Sequence, residues 1–173
     1  MAMGKRILVT SYTHSAVDNI LLKLVGHTND HREGTLTTNI VRVGRKNSVH
    51  PGMHRYLASE LACEMDQRDG LQMRAMPSAE NAKADAKPSI ANLHKTISSA
   101  KVVGVSALTI PKSPLLIGQK FDLVIVDEAG QISQPAIIGA LLAADSFVLV
   151  GDHEQLPPLV RSEVAAKAGA YFL

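Results

Sequence analysis

Short apolar runs alternate with segments of helical periodicity along the chain. Residues 6–10 (RILVT) form an apolar run of the kind that a buried strand needs. The residues that follow place Val17, Ile20, Leu21 and Leu24 on one face of a helix. The pattern therefore predicts a strand, a turn and a helix at the start of the chain.

The same alternation continues to the other end of the chain. Further strands are predicted at 39–43, 102–106, 121–126 and 147–150, and further helices at 53–69, around 90–97 and after Ser133. Segment 77–89 (PSAENAKADAKPS) is poor in large apolar side chains and bounded by prolines, which indicates an exposed insertion. Strands alternating with helices favour an α/β fold, with a parallel sheet and helices on both of its faces.

Composition narrows the class of protein. Of the 173 residues, 46% are hydrophobic and 20% charged, which describes one globular domain with a core of its own. No apolar run approaches the roughly 18 residues of a membrane span, and the first residues turn polar too early for a signal peptide. We therefore expect an intracellular protein without a membrane segment. Because Cys63 is the only cysteine, this chain cannot supply an iron–sulfur cluster, and we expect the thiol to be a packing residue.

Polar side chains follow two of the predicted strands. Asp127 and Glu128 come directly after the apolar run at 121–126, and Gly151, Asp152 and Gln155 follow the run at 147–150. The carboxyl ends of parallel strands meet at one edge of a sheet, where α/β proteins bind their ligands. We therefore expect these groups to lie together in a binding site.

Hydroxyl groups mark two other strand ends. Ser11 and Thr13 lie where a strand meets the start of a helix, and the free amides of a helix N-terminus suit a phosphate backbone. These hydroxyls equally suit a helix cap, so both interpretations stay open. The net charge of +2 is too small to indicate nucleic acid by itself. A basic cluster near turns, which is either a phosphate-binding patch or a solvated face, comprises Arg42, Arg45, Lys46 and Arg55.

Four stretches, at residues 10–24, 102–109, 121–135 and 151–159, resemble motifs Ia, Ic, II and III of superfamily 1 helicases. Their sequences are most similar to the eukaryotic DNA replication ATP-dependent helicase/nuclease family, and the resemblance covers residues 6 to about 165. It implies a RecA-like P-loop NTPase core that binds ATP. It also implies that Asp127 binds Mg²⁺, that Glu128 is the general base, and that Gln155 senses the γ-phosphate, with Asp152 beside the nucleotide.

The resemblance also implies a function. We expect the chain to be part of an ATP-dependent 5′–3′ DNA helicase/nuclease that acts in replication and repair. The expected location is the nucleus, with the mitochondrion as a second location. Single-stranded DNA would contact motif Ia through Ser11, Thr13 and His14, and motif Ic through Ser106 and Thr109. Further partners would be the second RecA-like domain, the nuclease domain and a single-strand-binding protein. Two alternatives are an RNA helicase of the same branch and a truncated, non-catalytic binding module.

Departures from the family pattern indicate a partial domain. No G-x-x-x-x-G-K-[ST] phosphate loop occurs in the chain, and Gly130 stands where the family usually has serine. We expect residues 1–173 to be part of a first RecA-like domain that lacks the phosphate-loop strand and is inactive alone. The second RecA-like domain, the nuclease and its iron–sulfur cluster would lie outside the chain. The strand at 147–150 would then be an edge strand, paired with 121–126 on one side only.

Overall fold

The computed structural model describes residues 4–30, 39–74 and 87–152, together with residues 154–168 apart from 156, 159 and 161. Most of the insertion predicted at 77–89 lies outside the described residues. No helix in the described part has the length and apolar character needed to cross a membrane.

Five parallel strands form one sheet in the order β2-β3-β1-β4-β5. The strands are β1 (Ile7–Ser11), β2 (Ile40–Arg42), β3 (Val102–Ser106), β4 (Phe121–Asp127) and β5 (Ala144–Leu149). Each coincides with or overlaps an apolar run that predicted a strand. For β1 to β4 the reason is that a parallel strand covered on its faces has to be apolar along most of its length. The α/β class and the parallel sheet are therefore confirmed.

Helices connect these strands. They are α1 (His14–Asp30), α2 (Ala58–Arg74), α3 (Ile90–Ser99), α4 (Gln134–Leu141) and the short α5 (Glu163–Lys167). The helix predicted at 53–69 starts too early, because Pro51–Tyr56 forms a 3₁₀ helix and Leu57 is extended before α2 begins. Ser133 is the N-cap residue of α4 as predicted, but its side chain makes no capping hydrogen bond.

Apolar residues fill both faces of the sheet. On one face Val17 and Leu21 of α1 pack in a cluster with Val9 and Val102. On the other face α3 and α4 cover a second cluster, which includes Leu8, Val103, Val124, Ile97 and Ile137. The prediction of helices on both faces is confirmed.

Strand β5 lies at an edge of the sheet. Within the described residues it pairs with β4 and has no strand on its other side, which confirms the edge prediction. Its apolar side chains are unusually open to solvent: Phe147 is 57% exposed and Val148 46%. The strand begins at Ala144, earlier than predicted. The prediction began at Phe147 because the residues before it are the half-exposed Ala144 and the exposed, polar Asp145 and Ser146, which do not extend the apolar run.

Candidate functional site at the carboxyl edge of the sheet

Three predicted site residues stand in one row across the middle of the sheet. Ser11 ends β1, and it is in register with Ser106 of β3 on one side and with Asp127 of β4 on the other. Residues in register on parallel strands turn their side chains to the same face. Asp127, predicted from the sequence to bind the nucleotide, and Ser106, predicted to contact DNA, therefore lie on either side of the end of β1. Each neighbouring strand is about 5 Å from β1.

Glu128 has a left-handed backbone conformation. Its φ of 54° and ψ of 39° make it the only non-glycine residue with positive φ in the described part of the chain. Such a conformation costs of order 1–3 kcal/mol and is common at functional sites. It turns the chain sharply after β4, and Glu128 then caps the short 3₁₀ helix Ala129–Gln131.

Gln131 joins the two loops of the site. Its Nε2 donates to Glu128 Oε2 at 3.0 Å and lies 3.5 Å from Gln155 Oε1. Gln155 in turn donates from Nε2 to Asp152 Oδ2 at 3.3 Å. The structure thus brings Glu128, Gln155 and Asp152 together, as the strand ends predicted, through a glutamine that the sequence analysis missed. Its position three residues after Glu128 on a tight turn was the available clue.

Two glycines allow these loops to touch. A Cβ on Gly151 would lie 2.9 Å from the Gly130 nitrogen and 3.2 Å from the Ala129 nitrogen. The approach is fixed by a hydrogen bond from the Ala129 amide to the Val150 carbonyl at 2.8 Å. A Cβ on Gly130 would meet the Asp152 carbonyl oxygen at 3.3 Å. A side chain at Gly130 would therefore be tight against this carbonyl, which shows how closely the two loops approach.

The Asp127 carboxylate has no partner within the described part of the chain. It is half-buried, and no hydrogen bond or ion pair to it is seen there. Among the described residues no group of three potential ligand side chains surrounds a metal position. A single carboxylate still suits Mg²⁺, which takes one or two carboxylates and completes its shell with phosphate oxygens and water.

The predicted motif Ia contacts differ in accessibility. Thr13 is exposed and caps α1, because its Oγ1 accepts a hydrogen bond from the Ala16 amide at 3.2 Å. Ser11 is fully buried, and neither its hydroxyl nor that of Thr10 has a hydrogen-bond partner among the residues that the structure describes. Ser11 therefore does not reach the surface in this conformation, whereas Thr13 does.

His14 is half-buried at the first turn of α1. Arg42 Nη2 donates to its Nδ1 at 3.1 Å, which leaves the ring proton on Nε2. Burial, reinforced by the neighbouring Arg42 charge, lowers the pKa of His14 below its ordinary value, although Asp18 acts in the opposite direction. The ring is therefore held in its neutral form at neutral pH.

Arg42 belongs to neither a surface patch nor a solvated face, and both predictions for it are wrong. Its side chain is fully buried, and its Nε pairs with Asp18 Oδ1 at 2.6 Å. Asp18 Oδ2 also accepts a hydrogen bond from the His50 amide at 2.7 Å. Arg45 and Lys46 are exposed as expected, and Lys46 pairs with Glu60 on the surface. The four basic residues thus do not form one patch.

The motif Ic hydroxyls contact each other. Ser106 Oγ and Thr109 Oγ1 lie 2.8 Å apart, and Ser106 is buried while Thr109 is half-buried. Of this pair only Thr109 presents appreciable surface to a ligand.

Known proteins resemble nearly the whole chain. It is 38% identical over 168 residues to the DNA replication ATP-dependent helicase/nuclease DNA2 of Xenopus laevis. Identity is 39% over 166 residues with the DNA replication ATP-dependent helicase/nuclease JHS1 of Arabidopsis thaliana, and 38% over 167 residues with the DNA2 protein of Saccharomyces cerevisiae. These alignments cover 96–97% of the chain but only 9–13% of the relatives. The chain thus spans about a tenth of their length.

A solved structure of Bacteroides Pif1 bound to ssDNA aligns with 98% of the chain and 34% of that protein, at 14% identity. Its TM-score of 0.27 is too low to carry an argument. The AAA domain model, in contrast, matches residues 1–101 and 66–163. The parallel sheet with its open edge is an incomplete RecA-like α/β fold, and the chain belongs to the AAA domain family, with DNA replication helicase/nucleases among its relatives.

Proposed function

We propose that the chain is the part of a first RecA-like domain in which ATP and single-stranded DNA meet at one sheet edge of a DNA helicase/nuclease. The observation that carries the proposal is the junction of Glu128, Gln131 and Gln155 beside the Asp127 carboxylate, which has no partner among the described residues. A solvated polar strand end has no need of a strained Glu128 or of two glycines at positions where a Cβ would crowd the facing loop. A site that must hold its groups in a fixed arrangement does.

Each group in this junction has a role in phosphoryl transfer. Gln131 occupies one carboxylate oxygen of Glu128, so the other is available to accept a proton from an attacking water. Gln155, whose Nε2 donates to Asp152 Oδ2, would sense the γ-phosphate. Asp127 would hold Mg²⁺, which supplies positive charge to the phosphates when it is bound. Because most of the acceleration in this chemistry comes from positioning, a phosphate loop is needed as well.

Single-stranded DNA would lie across the starts of α1 and the 3₁₀ helix after β3. Thr13 is exposed there, while His14 and Thr109 are half-buried. The amides of the first turn of α1 favour a phosphate. Ser11 and Ser106 are buried, so they would lie beneath the residues that contact DNA and would not touch the DNA themselves. The relatives bear the names of DNA enzymes, which favours DNA over RNA, although phosphate contacts alone do not distinguish the two sugars.

The remaining assignments follow from the proposed family role. The active protein would contain a second RecA-like domain and a nuclease domain with its iron–sulfur cluster. It would act with a single-strand-binding protein in the nucleus, and the mitochondrion is the second location proposed.

ATP hydrolysis by a longer protein tests the nucleotide site. In a protein that joins this chain to a phosphate loop and a second RecA-like domain, Glu128→Gln should lower turnover by about 10²–10⁴-fold, because it removes the base and keeps the shape. Asp127→Ala should weaken magnesium-dependent nucleotide binding as well. Glu154→Gln is the matched control, since the same charge change on an exposed side chain of the next loop should have little effect. Residues 1–173 alone should not hydrolyse ATP. A longer protein indifferent to Glu128→Gln would favour the non-catalytic module.

Fluorescence anisotropy with labelled oligo-dT tests the DNA site on the chain itself. Weak binding is expected, with a salt dependence that corresponds to a few phosphate contacts. Thr13→Ala should weaken it, whereas Thr13→Ser keeps the hydroxyl and the helix cap and should not. An RNA oligomer of equal length measures the preference for DNA. Equal binding by the parent and by a folded Thr13→Ala variant would contradict the proposed contact.

A further inference from the structure

A cleft of about 280 Å³ lies beside the proposed DNA contact, and its lining residues are mostly polar but turn more carbon than nitrogen or oxygen surface towards it. One wall is the first turns of α1, which contribute Ser15 and Asn19. The facing wall is the loop after β2, which contributes Asn47, Ser48 and His50. None of the site residues predicted from the sequence lines this cleft.

One buried carboxylate fixes the two walls. Asp18, on α1, has a side chain only 2% exposed, and it pairs through Oδ1 with Arg42 at the end of β2. Its Oδ2 accepts the amide hydrogen of His50 in the facing loop. Because the same side chain holds the helix, the strand and the loop, the width of the cleft is set before a ligand enters. The cleft is therefore preorganised, which lowers the entropic cost of binding.

The cleft is continuous with Thr13. Ser15 Oγ, on the wall of the cleft, lies 3.3 Å from Thr13 Oγ1. A single strand of DNA whose phosphate contacts Thr13 would thus bring an adjacent nucleotide to the mouth of the cleft. The proposed phosphate contact and the cleft form one surface.

The groups that line the cleft suit a base better than a phosphate. Asn19 and Asn47 are exposed, and within the described residues their amides make no hydrogen bond to the protein. Each amide offers both a donor and an acceptor, the combination that base edges require. His50 Nδ1 accepts from the Gly52 amide at 3.1 Å, which fixes a ring on which a base could stack. Within the described residues no lysine or arginine lines the cleft, and the Asp18 carboxylate is paired with Arg42, so the lining offers a phosphate no free counter-charge.

We propose that this cleft receives one base of the single strand whose phosphate contacts Thr13. The proposal rests on the proposed function, since it requires single-stranded nucleic acid at the start of α1. It adds base contacts from Asn19 and Asn47 to a surface that would otherwise hold only the backbone.

Anisotropy titrations with two labelled strands test the proposal. One strand is oligo-dT, and the other has the same length with abasic sites throughout. Asn19→Ala and Asn47→Ala should each weaken oligo-dT binding about two- to tenfold, the loss of one or two hydrogen bonds. Binding of the abasic strand should not change, and neither should the salt dependence, because no charge is removed. Ser98→Ala is the control: Ser98 is exposed in α3, does not line the cleft and accepts only from Gln119 Nε2 among the described residues, so this variant should bind like the parent.

The possible results separate the two proposals. If the parent chain binds neither strand, the proposed DNA contact itself fails. If the parent binds but both asparagine variants match it on oligo-dT, the cleft does not hold a base. Equal weakening on both strands would show that the asparagines act on the backbone, which also overturns the proposal. Because both side chains are exposed and make no hydrogen bond to the described residues, the variants should unfold at the same temperature as the parent, and this is checked first.

Discussion

Replacement of Arg42 by methionine is the most severe single change that the structure suggests outside the apolar core. The guanidinium is fully buried and donates to Asp18 Oδ1, to the Val43 carbonyl at 2.7 Å and to His14 Nδ1. Methionine fills a similar length of space but donates to none of them. The change therefore leaves the Asp18 carboxylate buried without its counter-ion.

Removing one partner of a buried ion pair costs about 3–5 kcal/mol, because the remaining charge is desolvated and uncompensated. Domains of this kind are stable by about 5–15 kcal/mol in total. Arg42→Met should therefore remove a large fraction of the stability. Asp18 still accepts one hydrogen bond, from the His50 amide, so the loss should fall at the lower end of the range.

Urea unfolding followed by circular dichroism measures this loss. Arg45→Met is the matched control, since Arg45 is exposed and a surface change of this kind shifts stability by about 0.5 kcal/mol or less. The double variant Arg42→Met with Asp18→Asn removes both charges and keeps an acceptor for His50. The stability that the double variant loses should be smaller than the sum of the two single losses by about 0.5–3 kcal/mol. A cost for Arg42→Met equal to that of Arg45→Met, or strictly additive single changes, would refute the reasoning.

Three other changes test separate parts of the structure. The lowered pKa of His14 means that protonation of its ring opposes folding, so the free energy of unfolding should fall as the pH drops below about 6.5. His14→Gln keeps an acceptor for Arg42 and should make the free energy of unfolding, measured by urea titration, depend less on pH. An unchanged pH dependence would count against this role of His14. Val148→Lys should reduce concentration-dependent association in light scattering, because β5 is an open edge, and equal association would mean that the edge is not the contact. Gly151→Ala should cost about 1–3 kcal/mol because its Cβ meets fixed backbone, whereas Gly26→Ala, with open space around it in α1, should be neutral or stabilising; the reverse order would contradict the packing of the two loops.

The sequence predicted the strands well because buried parallel strands cannot avoid being apolar. It predicted less well where neighbouring structure decides the outcome. The apolar spacing of Leu57, Leu61 and Met65 indicated a helix from 53, yet Pro51 and Gly52 direct the chain into a 3₁₀ helix first. The start of β5 was missed because an edge strand open to solvent needs no apolar residue there.

Arg42 shows most clearly where sequence reasoning about the site failed. The charge of Arg42 and its place close to a turn predict a surface position beside Arg45 and Lys46. Its setting inside the apolar run Ile40–Val43 was the better guide, because β2 is buried on both sides. The need for a buried partner would then have pointed to Asp18, a charged residue among the apolar positions of α1.

The pattern of exposure in β4 and β5 shows which side of the sheet is left uncovered by the described residues. Leu123 and Ile125 are only half-buried, although they lie in a sheet interior and on the face that α1 covers at β1. Beside them Phe147, Val148 and Leu149 are exposed on both faces of β5. Fully burying an apolar side chain of this size stabilises a fold by about 1.5–3 kcal/mol, so covering several half-open ones amounts to several kcal/mol. In the proposed function, the phosphate-loop strand and its helix would cover this open surface, next to the nucleotide site proposed at Gln155 and Glu128.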